Sequence, residues 1–154
     1  MRRFLQCSCL ATVLALSSVT AWAQAKGPLV GAWKVTAIEN PGGAPLLNPQ
    51  PGLYIFTQRH YSAVRLNGTK PLPDYPSNDV ATPADKAAVF DMLYMNTGSY
   101  SVSSNRLTMS PMVAKSAFAM QPGRTLEYEF TVKGDTLTLV QKPKGPGLTL
   151  VRVE

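Results

Sequence analysis

Hydrophobic and polar positions alternate along most of the chain, and this pattern predicts β-strands. The clearest case is the segment 125–134, where Leu126, Tyr128, Phe130 and Val132 share one face and polar residues occupy the other. One apolar face and one polar face are typical of antiparallel strands with a solvated side. The same analysis predicts further strands at 31–39, 52–58, 61–66, 98–104, 106–113, 135–142 and 147–154.

One segment, 82–96, follows a helical pattern instead. Thr82 is a good N-cap, Pro83 suits the first helical position, and Asp85 completes a capping-box-like start. Gly98 is the expected stop, giving a helix of about three turns. The expected apolar face of this helix comprises Val89, Phe90, Met92 and Leu93.

The connections suggest how these elements are arranged. The proline-rich segment 67–81 predicts a long loop, and loops of that length are usually functional or disordered. Seven or eight strands joined mainly by short turns favour an all-β, up-and-down antiparallel barrel with one short helix. Such a barrel leaves no exposed strand edge, and with eight strands it has room for side chains or one small ligand.

The first 25 residues have the layout of a secretory signal peptide. A basic start, Met1-Arg2-Arg3, precedes an apolar run and small residues that allow cleavage near Ala23 to Ala25. We therefore expect a single mature domain, 26–154, that is exported to the periplasm or secreted. Both cysteines lie in the predicted signal, so no disulfide is expected. No segment of the mature chain is apolar for the roughly 20 residues that a spanning helix needs.

The charge and the types of residue present argue against nucleic acid binding, metal binding and nucleophilic catalysis. The formal net charge is +6, but the basic residues are scattered rather than gathered into the stripe that nucleic acid binding needs. The single histidine, His60, lies at a predicted turn, and no cluster suits a metal ion. No nucleophile motif is present either, so we predict no catalytic residue and no cofactor.

Several stretches, in order, resemble a known family. "LVGAWKV" resembles the G-x-W opening of lipocalins and other calycins. Together with "PGLYIFTQRHYSA", "GSYSV", "LEYEFTVKGDTLTL" and "LVRVE", it is similar to the bacterial lipocalin-like domain family over nearly all of 29–154. The chain departs from the family at Gln58-Arg59, where an Asp-Gly type of turn is usual.

This resemblance implies the architecture of one barrel end. In lipocalin-like folds the tryptophan of the first strand packs across the closed end, and a basic residue near the last strand covers its ring. Here these residues would be Trp33 and Arg152, which we predict to act as a structural plug. In the first strand, Trp33, Val35 and Ala37 are expected to face the same way.

We predict that the barrel binds a small hydrophobic molecule beneath the helix and the loop 67–81. An apolar pocket with a few polar groups suits such a ligand. The candidate ligand-binding residues are Tyr54, Phe56, Tyr61, Arg65, Phe90, Tyr100, Tyr128 and Phe130.

Two alternatives remain open. A barrel enzyme of the cyclase or isomerase type would need Arg65 buried with a tyrosine and with Glu39 or Asp91. A protein-binding or inhibitor module would act through the loops 67–81 and 114–124. The oligomeric state is not determined by the sequence.

Overall fold

The computed structural model describes residues 27–77 and 79–154, and these form nine strands and two helical segments. The predicted signal peptide lies outside the described residues. The elements are, in chain order, β1 (Gly31–Glu39), β2 (Leu46–Leu47), β3 (Gly52–Phe56), β4 (His60–Leu66), α1 (Pro83–Met92), β5 (Leu93–Ser103), β6 (Arg106–Ala114), a 3-10 helix (Ala117–Met120), β7 (Leu126–Lys133), β8 (Thr136–Gln141) and β9 (Gly147–Arg152).

Eight of the strands close into an antiparallel barrel. From β3 to β9 each strand pairs with the next, β3 pairs with β1, and β1 also pairs with β9. The remaining strand, β2, has only two residues and pairs with the C-terminal part of β1, at Ala37 and Ile38. The predicted all-β barrel with one short helix is confirmed, and closure gives each of its eight strands a neighbouring strand on both sides.

The side chains on the inward faces of the strands fill the inside of the barrel. Tyr128 and Phe130 of β7 point inward and are buried, as the pattern predicted, with Leu126 and Val132 packed against the core. In β3, where both faces are apolar, Tyr54 and Phe56 point inward.

A β-bulge corrects the predicted inward face of β1. Trp33 and Val35 are buried as expected, but the register with β9 shifts between Val35 and Ala37. The extra residue turns Ile38 into the core and leaves Ala37 half-buried. The alternation was therefore wrong beyond Val35, because a bulge moves the following side chains to the opposite face.

The predicted helix 82–96 begins where expected but ends early. Thr82 caps it, and the reciprocal bonds of the capping box with Asp85 are both present. The helix stops at Met92, and β5 starts at Leu93, not at Gly98 as predicted. Residues 93–96 pair with β4 instead, so sheet hydrogen bonding overrides the helical pattern there.

The apolar face predicted for the helix is also wrong. No residue of α1 is buried, and Phe90 is 53% exposed. The helix therefore touches the barrel only lightly, mainly near its C-terminal end.

The two ends of the barrel differ in what connects the strands. The end near Trp33 has the tight turns 57–59, 104–105 and 134–135. The other end, which we call the mouth, carries the long connections 40–51, 67–92 and 115–125 and the shorter 142–146. The helix and the irregular segment 67–81 are therefore at the opposite end from Trp33. No helix in the described ranges is long and apolar enough to cross a membrane.

Candidate ligand-binding site

Trp33 and Arg152 form the stack predicted for the closed end. The two residues are register partners on β1 and β9, and the Arg152 guanidinium carbon lies 4.0 Å from the centroid of the fully buried Trp33 ring. The indole Nε1 donates to the carbonyl of Leu29 at 2.7 Å, and Arg152 Nη1 donates to the carbonyl of Val30 at 2.7 Å. The stack thus ties the segment before β1 across this end of the barrel.

Gly31 explains why the motif begins with glycine. Its φ of +139° is a conformation that residues with a side chain rarely adopt. A Cβ at Gly31 would also collide with Arg152 Nη1 and with the backbone carbonyl of Glu154. The small residue therefore leaves the space in which the guanidinium reaches the carbonyl of Val30.

Two of the depressions at the mouth meet at Asn67. The larger, about 560 Å³, lies between the β1–β3 connection and the end of β4, and Arg65 lines it. The smaller, about 320 Å³, lies between the end of α1 and the 3-10 helix. Its lining is mostly apolar: Leu93, Tyr94, Met95, Ala114, Ala119 and Leu126, with the polar or charged Asn67, Asp91, Asn96, Lys115 and Ser116.

Arg65 and Tyr94 form a wall between these two depressions. They are register partners on β4 and β5, and the guanidinium carbon lies 4.4 Å from the centroid of the Tyr94 ring. Arg65 Nη1 donates to the Asn67 side-chain oxygen. The Arg65 Nε atom is buried and has no hydrogen-bond partner among the described residues.

Three more polar atoms below this wall are also buried without a described partner. They are the hydroxyls of Tyr54 and Tyr61 and the amide oxygen of Asn96. All three residues are at least 97% buried. Tyr54 and Asn96 both pair with Ala63, so they lie in one cross-strand row of β3, β4 and β5.

The pKa values of three buried tyrosines in this region are raised. Burial raises the pKa of Tyr54 well above its ordinary value and the Tyr94 phenol adds to this rise, while the Arg65 guanidinium, which lies close to the Tyr54 hydroxyl, opposes it. Burial likewise raises the pKa of Tyr128, which Tyr94 and Tyr54 raise further. The pKa of Tyr61 is raised by burial and by the same two phenols. These hydroxyls therefore stay protonated at neutral pH.

Comparisons with known proteins bear on the fold. No protein-family model and no curated protein match the sequence. The crystal structure of a lipocalin-like protein from Bacteroides uniformis is similar, with a TM-score of 0.50 and 14% identity over 82% of this chain and 99% of that chain. An uncharacterized protein from Bacteroides eggerthii gives a TM-score of 0.49 and 10% identity over 80% and 98% of the two chains.

The fold of this chain is lipocalin-like. At 14% identity the likeness to the Bacteroides uniformis structure concerns the fold alone. What the lipocalin-like barrel does must therefore be argued from its own residues.

The predicted ligand-binding residues do not all converge. Tyr54, Tyr61, Arg65 and Tyr128 meet in the buried polar cluster just described. Phe56 and Phe130 are buried inside the lipocalin-like barrel, and Phe56 packs edge-on against Tyr100 at 5.3 Å. The Tyr100 hydroxyl donates to the Thr57 carbonyl at 2.7 Å, at the closed end. Phe90 stands apart on the helix surface, where Lys115 Nζ lies 4.7 Å from its ring centroid.

Three residues of the mouth were missed by the sequence analysis: Asn67, Tyr94 and Asn96. Tyr94 and Asn96 fell inside the predicted helix and were therefore not placed on a strand. The inward positions of β5 are Tyr94, Asn96, Gly98 and Tyr100, a series without one aliphatic residue, so apolar alternation could not reveal the strand. The signal available was the even spacing of Tyr94 and Tyr100, which places both on one face of a strand.

The carboxylates proposed for the enzyme alternative lie away from Arg65. Glu39 is exposed beside Lys142 and Lys144 in a separate depression. Asp91 is exposed on the helix and lines the smaller depression, on the other side of the Arg65–Tyr94 wall. No group of three or more His, Cys, Asp or Glu side chains that could hold a metal ion occurs in residues 27–77 and 79–154.

The loops of the protein-binding alternative do carry exposed apolar side chains. In 114–124, Phe118 is 58% exposed and Met120 is 42% exposed, with Arg124 stacked 4.0 Å from the Phe118 ring centroid. Leu72 and Val80 are exposed in the other loop. Apart from Arg124 on the Phe118 ring, these side chains are largely open to solvent in the described structure.

Proposed function

We propose that this protein binds a small molecule with a hydrophobic body in the mouth of its barrel. The observation that carries the proposal is the pair of depressions that meet at Asn67, at the end opposite the Trp33–Arg152 stack. Ligand pockets of proteins have volumes of roughly 300–1,000 Å³, and both depressions fall in this range.

The lining supports a ligand that is largely apolar. Leu93, Ala114 and Leu126 line the smaller depression, and Ile38 and Leu46 line the larger one. A few polar groups, led by Arg65 and Asn67, lie between these apolar walls. This combination of apolar surface with a small number of placed polar groups is typical of small-molecule sites.

The barrel also supplies a rigid base for such a site. Trp33 fills the closed end, with Leu137 and Leu150 buried next to it, so we propose that a ligand enters from the mouth. Helix α1 buries none of its own residues and touches the barrel lightly. We propose that it moves to admit the ligand, as mobile lids do in other proteins.

Export is part of the proposal and rests on residues 1–25. An exported binding protein would capture its ligand outside the cytoplasm. Expression of the full chain in a Gram-negative host, followed by N-terminal sequencing of the periplasmic fraction, is expected to show cleavage between Ala23 and Lys26. Uncleaved protein retained in the cytoplasm would contradict this part.

A neutral fluorescent probe, N-phenyl-1-naphthylamine, tests the binding site. We expect saturable binding at one site, with an increase in probe fluorescence. Ala119→Trp fills the smaller depression and is expected to weaken binding at least tenfold if the probe occupies it. Ala44→Trp does the same for the larger one. Ala117→Trp is the matched control, because Ala117 is exposed on the same 3-10 helix and lines neither depression.

The proposal fails if the probe does not bind saturably, or if neither filling variant weakens its binding. Native mass spectrometry provides an independent measurement. Protein purified from its own export compartment is expected to carry a co-purified small molecule, detected as a mass difference that disappears on denaturation.

A further inference from the structure

The outer surface of the barrel is polar on one side and apolar on the other. From β5 to β8 the side chains that point outward are mostly serine, threonine, glutamate and lysine, among them Ser99, Thr108, Glu127, Glu129 and Thr131. On the side formed by β9, β1, β3 and β4 they are mostly aliphatic: Leu53, Ile55, Val64, Val151 and Val153, which we call the apolar wall. Each of these five is between 38% and 52% exposed. Because a solvated sheet face normally carries polar residues, the apolar wall needs an explanation.

The first row of the apolar wall crosses four strands. Lys34 of β1 pairs with Leu53 of β3 on one side and with Val151 of β9 on the other. Leu53 pairs in turn with Val64 of β4. Side chains that are paired across neighbouring strands lie on the same face, so these four form one continuous row.

The second row lies two residues nearer to the closed end. Ile55 of β3 pairs with Ala32, and the amide of Val153 donates to the Ala32 carbonyl at 2.8 Å from the other side. A depression of about 490 Å³ is lined by members of both rows and by Pro51 and Gly52. Contiguous apolar surface of this kind on a soluble protein commonly marks a contact with another molecule.

The charges on this surface indicate which molecule covers it. Among the described residues, Lys34 is the only charged side chain within the two rows, and it is exposed. Glu154 directly follows Val153, is exposed, and its backbone carbonyl accepts from the Ala32 amide at 3.3 Å. Neither Lys34 nor Glu154 forms an ion pair with a described residue. The apolar wall therefore has an unneutralised cation in one row and an unneutralised anion just beyond the other.

This arrangement is complementary to itself. A twofold axis perpendicular to the wall, placed between the two rows, lays the first row of one copy over the second row of another. It then brings Lys34 of each copy towards Glu154 of the other, with the aliphatic side chains between the two ion pairs. An apolar centre with a polar rim is typical of protein interfaces, and twofold dimers are the commonest soluble oligomers.

We propose that the apolar wall binds a second copy of this chain in a symmetric dimer, with Lys34 of each copy against Glu154 of the other. This inference is independent of the proposed function, because no residue of the apolar wall lines either depression that meets at Asn67. The two barrels lie side by side, and both mouths stay open to a ligand.

Sedimentation equilibrium of the purified protein tests for the dimer. We expect a reversible change from one to two copies between about 1 µM and about 1 mM protein, the range of moderate affinities. The mass of a single copy at every concentration overturns the proposal, and so does a mass that keeps rising beyond two copies, because a twofold contact closes on itself.

A matched pair of valines tests whether the contact is at the apolar wall. Val64→Glu is expected to weaken the dimer at least about tenfold, since each substitution enters a symmetric contact twice. Val140→Glu is the control, because Val140 is 37% exposed on the outer face of β8 and is not part of the apolar wall. If Val64→Glu does not fold, judged by circular dichroism, Val153→Glu replaces it, since Val153 lies beyond the end of β9. Equal weakening in the wall variant and the control overturns the proposal.

Exchange of the two charges tests the symmetry of the contact. Lys34→Glu alone places two acidic groups together and is expected to weaken the dimer at least about tenfold. Combining Lys34→Glu with Glu154→Lys restores opposite charges and is expected to recover most of the lost affinity. A double variant that dimerises as weakly as Lys34→Glu alone overturns the proposed pairing of the two copies.

Discussion

Two arginine–aromatic stacks lie at opposite ends of this barrel, and they differ in how their hydrogen bonds are satisfied. At the closed end, Arg152 lies 4.0 Å from the Trp33 ring centroid and donates to the backbone carbonyls of Val30 and Pro28. At the mouth, Arg65 lies 4.4 Å from the Tyr94 ring centroid, but its Nε has no partner among the described residues.

This difference in hydrogen bonding marks the Arg152–Trp33 stack as a structural contact and the Arg65–Tyr94 stack as a candidate for ligand binding. Arg152 uses its donors on groups of the same chain, so its stack stabilises the fold. Arg65 is oriented by Tyr94 and Asn67 but keeps a buried donor unused, at a cost to stability. Binding sites commonly carry such costs, because a site that satisfies itself has nothing left for a ligand. The arginine–aromatic stack at the closed end therefore stabilises the fold, whereas the one at the mouth is our candidate for contact with a ligand.

Truncating the tryptophan of the closed end is expected to have the largest effect on stability. Trp33→Ala removes a fully buried side chain, and we expect a loss of about 3–5 kcal/mol in the free energy of unfolding. Urea unfolding followed by circular dichroism measures it. Phe90→Ala, at an exposed aromatic residue of the helix, is the control and is expected to cost less than about 0.5 kcal/mol. Similar losses of unfolding free energy in both variants would contradict the view that the closed end is tightly packed and the helix at the mouth is not.

The same substitution is expected to cost more stability at Arg152 than at Arg65. Arg152→Gln loses the stack on Trp33 and the bonds to two carbonyls, and we expect a loss of about 1–3 kcal/mol. The ion pair with Asp135, at 3.7 Å and largely exposed, adds little to this. Arg65→Gln loses the stack on Tyr94 and the bond to Asn67, but it also removes a buried donor that has no described partner, so we expect a net change in stability of less than about 1 kcal/mol. Equal losses would contradict the assignment of different roles to the two stacks.

Alkaline pH is expected to weaken the fold through the tyrosines below the mouth. The pKa values of Tyr54 and Tyr128 are raised in the folded state, so the folded chain holds protons that the unfolded chain releases. Their contribution is complete below the ordinary tyrosine pKa of about 10 and is lost as pH rises above it. Each buried tyrosine adds at most about 1.4 kcal/mol of destabilisation per pH unit there.

Urea unfolding from about pH 8 to about pH 11 measures this loss. Tyr54→Phe is expected to make the decline shallower and to leave stability near pH 7 unchanged or slightly higher, because its hydroxyl has no described partner. An unchanged slope in Tyr54→Phe would mean that this phenol ionises in the folded state as freely as in water.

The smallest effect concerns the helix at the mouth. Thr82→Ala removes the N-cap bond to the Asp85 amide, whose length is 3.2 Å, and such a change costs a helix about 1 kcal/mol. Because α1 buries none of its residues, we expect global stability to fall by less than about 0.5 kcal/mol. Amide hydrogen exchange is expected to accelerate in residues 83–92 only. Thr125→Ala, at an exposed threonine outside the helix, is the control, and a matching loss there would show that the cap is not responsible.

Much of the fold could be predicted from residue patterns. The alternation in 125–134 correctly indicated a strand, and the number of strands together with the G-x-W opening correctly indicated a closed barrel. The capping signals at Thr82, Pro83 and Asp85 placed the start of the helix correctly. These features depend on a residue and its near neighbours, so a single sequence contains them.

The candidate site was predictable only in part. The sequence analysis selected Tyr54, Tyr61, Arg65 and Tyr128, which the barrel brings together, but it also selected Phe90, which remains exposed. It missed Tyr94 and Asn96, because β5 carries no apolar alternation at its start. What placed them inward was pairing with β4, and pairing depends on residues about 30 positions away in the chain.

The sequence by itself determined the class of fold, the alternation of most strands and the cap of the helix, and its resemblance to lipocalin-like proteins implied the Trp33–Arg152 contact. Only the tertiary structure decided where the helix ends, which way β1 turns after Val35, and which polar atoms are buried without a partner. The physical reason is that propensity and periodicity are local properties. Strand register, β-bulges and the pairing of buried polar groups are set by segments that meet only when the barrel closes.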